Sequence, residues 1–425
     1  MLQTIKNAWK IPDLRKRMVF TLVILVLFRI GSVIQVPFVY AELAQSGVSG
    51  NGLQGLFQYF DIISGEAFGR ATLFALSISP YITASIVIQL LTIAIPALER
   101  MSKEGEEGRK KLTQITRYTT IGLALLTSIG YYAYIKSLGW IVPATLDGIN
   151  DTFKMFVIIA CYCAGAAVIM WLAEKINEHG IGNGISLILF VNIAASFPSM
   201  VTSAWNNGLW VFVLFLIIMI AMVIFIVHVT NAERRIPVQY AKRQIGRKMY
   251  GGQSTFLPIK LNMSGVMPII FASSIAAIPT TIAAIIPPKE GSAWYAIAQF
   301  FSSRSIVYII LYFVLIIAFS YFYLSISFNP VEVANNLKKN GGSVMGIRPG
   351  KPTVDYISKI LGRVTLIGAV FLGLVATIPL LLGKTQLSGL AFGGSSLLIL
   401  VSVVIETSRE IEAQMTMRHY KGFLE

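Results

Sequence analysis

The chain has 425 residues, 55% of them hydrophobic and only 13% charged, with a formal net charge of +15. Soluble domains carry about 25% charged residues, so this composition excludes a soluble multidomain enzyme.

A bilayer core takes roughly 20 consecutive apolar residues per helix, and ten stretches of the chain reach about that length. The first, 18–36, follows a tail with Lys6, Lys10, Arg15, Lys16 and Arg17 and encloses Arg29, the one clear charge inside a span. It is too long for a secretory leader, and nine further spans follow it. Residues 50–70 are too polar and glycine-rich to cross, yet Leu53, Leu56, Phe57, Phe60, Ile62 and Ile63 offer an apolar face. That pattern predicts a short half-helix at the outer interface or re-entering the bundle, since irregular backbone at membrane depth is tolerated only inside protein or a wet cavity. Spans two to five are predicted at 74–98, 118–141, 153–173 and 184–205. Cys161 and Cys163 fall in span four at i and i+2, positions that do not face each other on a helix, so they read as packing residues. Asn206, Asn207 and Gly208 form a short uncharged link to span six at 209–229. In 231–262, Ile236, Val238 and Tyr240, then Phe256, Leu257 and Ile259, flank Gly251 and Gly252, which predicts a small projecting hairpin. The remaining spans are predicted at 263–288, 305–328, 364–382 and 387–405.

Of the 35 Lys and Arg, 28 lie in the two tails and the loops after even-numbered spans, and only six lie on the opposite side. The positive-inside rule then places both termini in the cytoplasm. The chain divides into an N-terminal half, 1–205, and a C-terminal half, 206–425. With five spans each, the second half enters the membrane from the opposite side, an arrangement common in transport proteins. The predicted fold is an all-α polytopic membrane protein of ten transmembrane helices in two inverted halves, with a re-entrant half-helix and a small cytoplasmic hairpin. The basic loops 231–262 and 329–363 each exceed 30 residues. That is more than topology needs and points to a docking surface, besides attracting anionic lipids.

Catalysis finds no support. His179, His228 and His419 lie at span ends or in the tail, with no carboxylate or Cys cluster at ligand spacing, so no enzyme activity, cofactor or metal is expected. Gly383, Lys384 and Thr385 resemble the end of a phosphate loop, but the required upstream glycine is Ile378. Gly182 and Gly184 suit a bend opening span five, and Gly389 and Gly393 suit close helix packing. A small-solute transporter is the alternative, but ion coupling needs an ionisable group near mid-membrane. No Asp or Glu lies mid-span, and Glu174 and Glu406 sit at span ends. Ile78 and Ile82 are one turn apart on span two, as are Ile185 and Leu189 on span five. Such stripes ordinarily pack helices; here they also offer material for an apolar constriction.

Nine stretches carry a resemblance: FRIGS (28–32), ISPYITASIVIQLL (78–91), EGEEGRKKLTQITRY (104–118), GIGNGIS (180–186), RIPVQYAKRQIGR (235–247), QSTFLPIKLNMSGVMPIIFASS (253–274), NPVEVANNLKKNGG (329–342), GIRPG (346–350) and FGGSSLLI (392–399). In this order, and over essentially the full length, the chain resembles the SecY family, channel subunits of the Sec protein translocase. The resemblance implies a clamshell of the two halves around a central pore. By motif position, the family's pore ring falls on Ile78, Ile82, Ile185, Leu189, Ile270 and Ile399, with Leu189 a conservative departure. The family's plug falls on the flagged half-helix: Tyr59, Phe60, Asp61, Ile62, Ile63, Ser64, Gly65, Glu66, Ala67, Phe68 and Gly69. Its lateral gate corresponds to spans two and three facing seven and eight, with Gln89, Asn183 and Ser274 at polar gate positions. Its docking loops place Arg247, Lys248 and Arg348 against the SecA motor and the ribosome, including ribosomal RNA. SecE and SecG are the implied membrane partners, and signal sequences and nascent polypeptides the implied cargo. The implied location is the bacterial cytoplasmic (inner) membrane.

Overall fold

The computed structural model describes residues 2–40, 61, 64–143, 148–206, 208–240, 243–245, 248–250, 254–263, 265–285, 305–382 and 394–421. Helix α1 (Leu2–Trp9) precedes α2 (Pro12–Gly31), whose start has a proline and Asp13 in the first turn, both favoured there by the free N–H groups and the helix dipole. Then come α3 (Ser79–Ala94), α4 (Pro96–Lys103), α5 (Glu106–Ser137), α6 (Asp151–His179) and α7 (Gly184–Asn206). The C-terminal half contributes α8 (Leu209–Asn231), α9 (Met267–Ile285), α10 (Ile306–Ser327), α11 (Pro330–Lys339), α12 (Lys351–Leu382) and α13 (Gly394–Lys421).

Helices α2, α3, α5 to α10, α12 and α13 overlie the ten predicted spans. Among the described residues, five helical segments are individually long and apolar enough to cross a bilayer, and the bent pair α3–α4 adds a sixth. Helix α2 falls short because Arg15, Lys16, Arg17 and Arg29 lie within it. Span two departs from expectation. Its helix starts at Ser79 rather than near 74 and turns through 102° at Ile95. Pro96 explains the bend: it disfavours the helical region for the residue before it, and Ile95 is extended at φ −110, ψ 113. Helices α5 and α12 begin well before their apolar stretches, at Glu106 and Lys351, so each projects beyond the predicted span on the basic side.

The projecting hairpin is larger than predicted. Strands β1 (Glu233–Tyr240) and β4 (Ser254–Lys260) pair antiparallel, with Ile236 opposite Leu257 and Val238 opposite Thr255. Strand β5 (Gly342–Val344), from the loop after span eight, adds to the other edge of β1, giving the order β4-β1-β5. Between β1 and β4, β2 (Arg243–Ile245) pairs with β3 (Lys248–Tyr250), Ile245 opposite Lys248. Gly251 and Gly252, the predicted turn, lie outside the described residues. Ile236, Ile259 and Val344 bury against Ile357, Leu361 and Val364 of α12, which seats the sheet on the projecting end of that helix.

Among the described residues, the halves meet where α1 packs against α13 and along two further sets of helices. In one set, α9 packs against α3 and α5. In the other, α7 packs against α8 and α13, where Ala204, Phe215 and Leu397 are buried together and Trp205 meets Phe212 edge-on at 5.1 Å. A short link joins the halves at this second set, and none joins them at the first. Lipid tails are as apolar as these side chains, so close van der Waals fit rather than removal from water holds such helices together. Gly165 of α6 shows the closeness: a Cβ there would come within 2.2 Å of the Leu73 carbonyl oxygen.

Candidate functional site

The six aliphatic residues singled out for the ring occupy four helices. Ile78 caps the start of α3, and its carbonyl accepts from the Ile82 N–H at 3.1 Å, which places the two one turn apart. Ile185 and Leu189 lie in the first turns of α7, Ile270 in the first turn of α9 and Ile399 in the second turn of α13. Ile78, Ile82, Leu189, Ile270 and Ile399 are each at most 5% exposed, and half-buried Ile185 packs against the same cluster. The structure thus brings all six into the largest apolar core. Each of the two halves supplies part of the set.

Beside them lies the turn-rich segment that precedes α3. Tyr59, Phe60, Ile62 and Ile63 lie outside the described residues, whereas Asp61 and Ser64 to Gly69 are described. The segment fastens on itself through Asp61. Its carbonyl accepts from the Glu66 N–H at 2.9 Å, and its Oδ1 accepts from the Gly69 N–H at 2.7 Å. Gly65 and Glu66 both have φ +68, a left-handed conformation that glycine adopts readily and a glutamate adopts at a cost. Ser64 and Ala67 are buried, at 2% and 1% exposure.

Several helices hold this segment. The Phe68 ring lies 4.6 Å from that of Tyr131 on α5, and the Tyr131 hydroxyl donates to the Phe68 carbonyl. The Tyr162 hydroxyl on α6 donates to the Ala71 carbonyl at 3.3 Å. An ideal Cβ on Gly65 would sit 3.0 Å from the carbonyl oxygen of Asn192 on α7. Asn192 is fully buried, and its Nδ2 donates to Ser77 Oγ at 3.0 Å. Sequence reasoning missed Asn192, Tyr131 and Tyr162. Only Asn192 had a visible signal, an amide in an otherwise apolar run.

The gate-position residues divide. Gln89 is exposed on α3, where its Nε2 donates to Ser85 Oγ at 3.4 Å. Ser274 is half-buried on α9, the helix that meets α3 and α5. Asn183 caps α7: its Oδ1 accepts from the Ile185 and Ser186 N–H groups at 3.0 and 3.4 Å. Such caps satisfy donors that a helix start leaves unpaired.

On the basic side, Arg348 is exposed ahead of the Pro349–Gly350 turn, with its carbonyl accepting from the Thr353 hydroxyl at 2.8 Å. Arg247 lies outside the described residues, and Lys248 opens β3. Nearby, Arg117 grips Glu174 through Nε and Nη2 at 2.9 and 2.7 Å, a two-point contact joining α5 to α6. That hydrogen bond raises the Arg117 pKa, with burial opposing it.

The SecY family model matches residues 72–408. The protein translocase subunit SecY of Streptomyces galbus is 44% identical over 441 residues, with 100% of both chains covered. The subunit of the same name from Mycobacterium tuberculosis (strain ATCC 25618 / H37Rv) is 42% identical over 440 residues, again covering 100% of each. Among solved structures, a protein-conducting channel superposes with a TM-score of 0.67 at 21% identity, covering 94% of this chain and 92% of that one. Sec61 in the canine ribosome–channel complex from the endoplasmic reticulum gives a TM-score of 0.63 at 20% identity, with the same coverage. At those identities the superpositions speak for the fold.

Proposed function

The chain belongs to the SecY family, and from that membership we propose that it is a passive protein-conducting channel of a cell membrane. It passes unfolded secretory polypeptides across the bilayer and releases signal sequences and membrane helices sideways into lipid. The observation that carries this reading is the meeting of Ile78, Ile82, Ile185, Leu189, Ile270 and Ile399 in one buried cluster drawn from both halves. A translocating chain presents every kind of side chain, so a site that gripped any one of them would stall transport. An aliphatic ring grips none of them, and an empty narrow one dewets and blocks ions.

Residues 59–69 are the plug in this proposal, and the described part of the segment is held by Asn192 and by the tyrosines of spans three and four. The lateral exit is the side where α9 meets α3 and α5, since no chain link closes it, with Gln89 and Ser274 along it. Asn183 serves the same region by fixing the start of α7. Apolar segments leave by this seam because burial of apolar area stabilises by about 25 cal/mol per Å².

The one-sided basic loops support cytoplasmic termini by the positive-inside rule, and family membership supports the inner membrane of a bacterium. Arg247, Lys248 and Arg348 then dock the SecA motor and the ribosome. Attraction to ribosomal RNA is of the phosphate-backbone type and weakens with salt. SecE and SecG complete the membrane complex. The chain carries no motor motif, so SecA, translation or the proton-motive force drives the passage. Vesicles holding the complex should move a signal-bearing precursor into a protease-protected lumen when SecA and ATP are added. Saturable uptake of a small solute in place of precursor import would overturn the channel reading in favour of a transporter.

A further inference from the structure

Arg29 makes a contact that pore, seam and docking loops leave unused. It sits in the last turn of α2, inside a span, where a charge needs partners. Its Nη1 donates to Ser32 Oγ at 3.3 Å and to the carbonyl of Gly65 at 3.1 Å. The Ser32 hydroxyl donates in turn to the Arg29 carbonyl at 2.7 Å, so the end of α2 itself holds the first acceptor in place. The second acceptor belongs to another segment, 36 residues along the chain. The Glu66 carboxylate acts on Arg29 electrostatically and is paired with Arg70 at 2.5 Å. The left-handed turn at Gly65 and Glu66, both at φ +68, lies at the point of contact.

We propose that Arg29 is the latch of the plug: its guanidinium holds the closed state through the Gly65 carbonyl and the Glu66 charge, and opening requires that hold to break. The proposal rests on the assignment of residues 59–69 as the plug. A charge-assisted hydrogen bond is about twice as strong as a neutral one, which suits a contact that must last in the resting channel and yield to an arriving chain. Ser32 remains with Arg29 when the plug departs, so the freed charge keeps a partner within the span. Arg29 is thus a positioning residue that acts through the plug.

The test uses the full channel complex in vesicles, with Cys161→Ser and Cys163→Ser as background and Ala67→Cys as reporter, a position 1% exposed in the closed structure. A membrane-impermeant maleimide applied from the outer face reads plug displacement as a labelling rate. Arg29→Gln should raise that rate roughly tenfold or more, as expected for loss of a hydrogen bond to a charged group. Arg29→Lys should restore part of the protection and Glu66→Gln should raise labelling less, while the thermal unfolding midpoint stays that of the parent. Parental labelling in a folded Arg29→Gln complex would overturn the latch. If that variant does not fold, parental labelling of Glu66→Gln overturns it instead. The plug assignment fails separately: an arrested secretory chain should speed labelling of the parent reporter, and no change there would remove the plug and the latch with it.

Discussion

Asn192 donates from Nδ2 to Ser77 Oγ at 3.0 Å. Ser77 directly precedes Ile78, and Asn192 lies about one turn beyond Leu189. This buried hydrogen bond ties the segment leading into Ile78 to the helix that carries Leu189, two residues of the proposed ring, and Asn192 also backs Gly65 of the proposed plug. Replacing Asn192 with Leu should strand the buried Ser77 hydroxyl at a cost of about 1–3 kcal/mol. A lowered thermal unfolding midpoint and a raised resting ion conductance in vesicles are expected together. An unchanged midpoint and conductance would show that this bond sets nothing.

Ile270→Asn and Ile399→Asn should each loosen the closed state. Both side chains are at most 5% exposed, and an amide there must find a partner or water, which wets the constriction. Ion leak should rise, and precursors with weakly apolar signal sequences should be exported. Parental leak together with parental signal stringency would count against the ring.

Gly65→Ala should unseat the plug without touching the ring. The φ of +68 disfavours any Cβ, and that Cβ would lie 3.0 Å from the Asn192 carbonyl oxygen, a backbone atom that cannot swing aside. Resting conductance should increase while SecA-driven export continues. A tight resting membrane would mean that this close approach does not matter to closure.

Arg348→Glu should cripple SecA-driven export and leave the fold intact. The side chain is exposed, and its carbonyl, which accepts from the Thr353 hydroxyl, is unaffected by the change. Reduced precursor uptake at a parental unfolding midpoint is expected; parental uptake would remove Arg348 from the docking surface.

The helices were legible because an apolar run of membrane length has few alternatives to a helix. The bend at Ile95 was legible in principle from Pro96, yet hydropathy averages across it. Strand β5 was not: three residues, Gly342–Val344, show no periodicity, and their partner β1 lies about 100 residues upstream. The one-turn pairs Ile78/Ile82 and Ile185/Leu189 were legible as pattern, but such pairs occur on many spans, so only the resemblance added Ile270 and Ile399 and grouped the six as a ring. Arg29 was visible as an isolated charge, but its acceptor in the other segment is the Gly65 backbone carbonyl, which carries no side-chain signature. The Tyr131 and Tyr162 hydroxyls escaped notice for the same reason, each donating to a main-chain oxygen.

The central claim is that exported chains pass through the aliphatic ring. A photo-reactive residue at position 82 or 270, in complexes holding a secretory precursor arrested midway, tests it most directly. The account predicts an adduct to the translocating segment from both positions and none from exposed Trp210, on the outer surface of α8. Arrested precursor that forms no adduct at either ring position would contradict it.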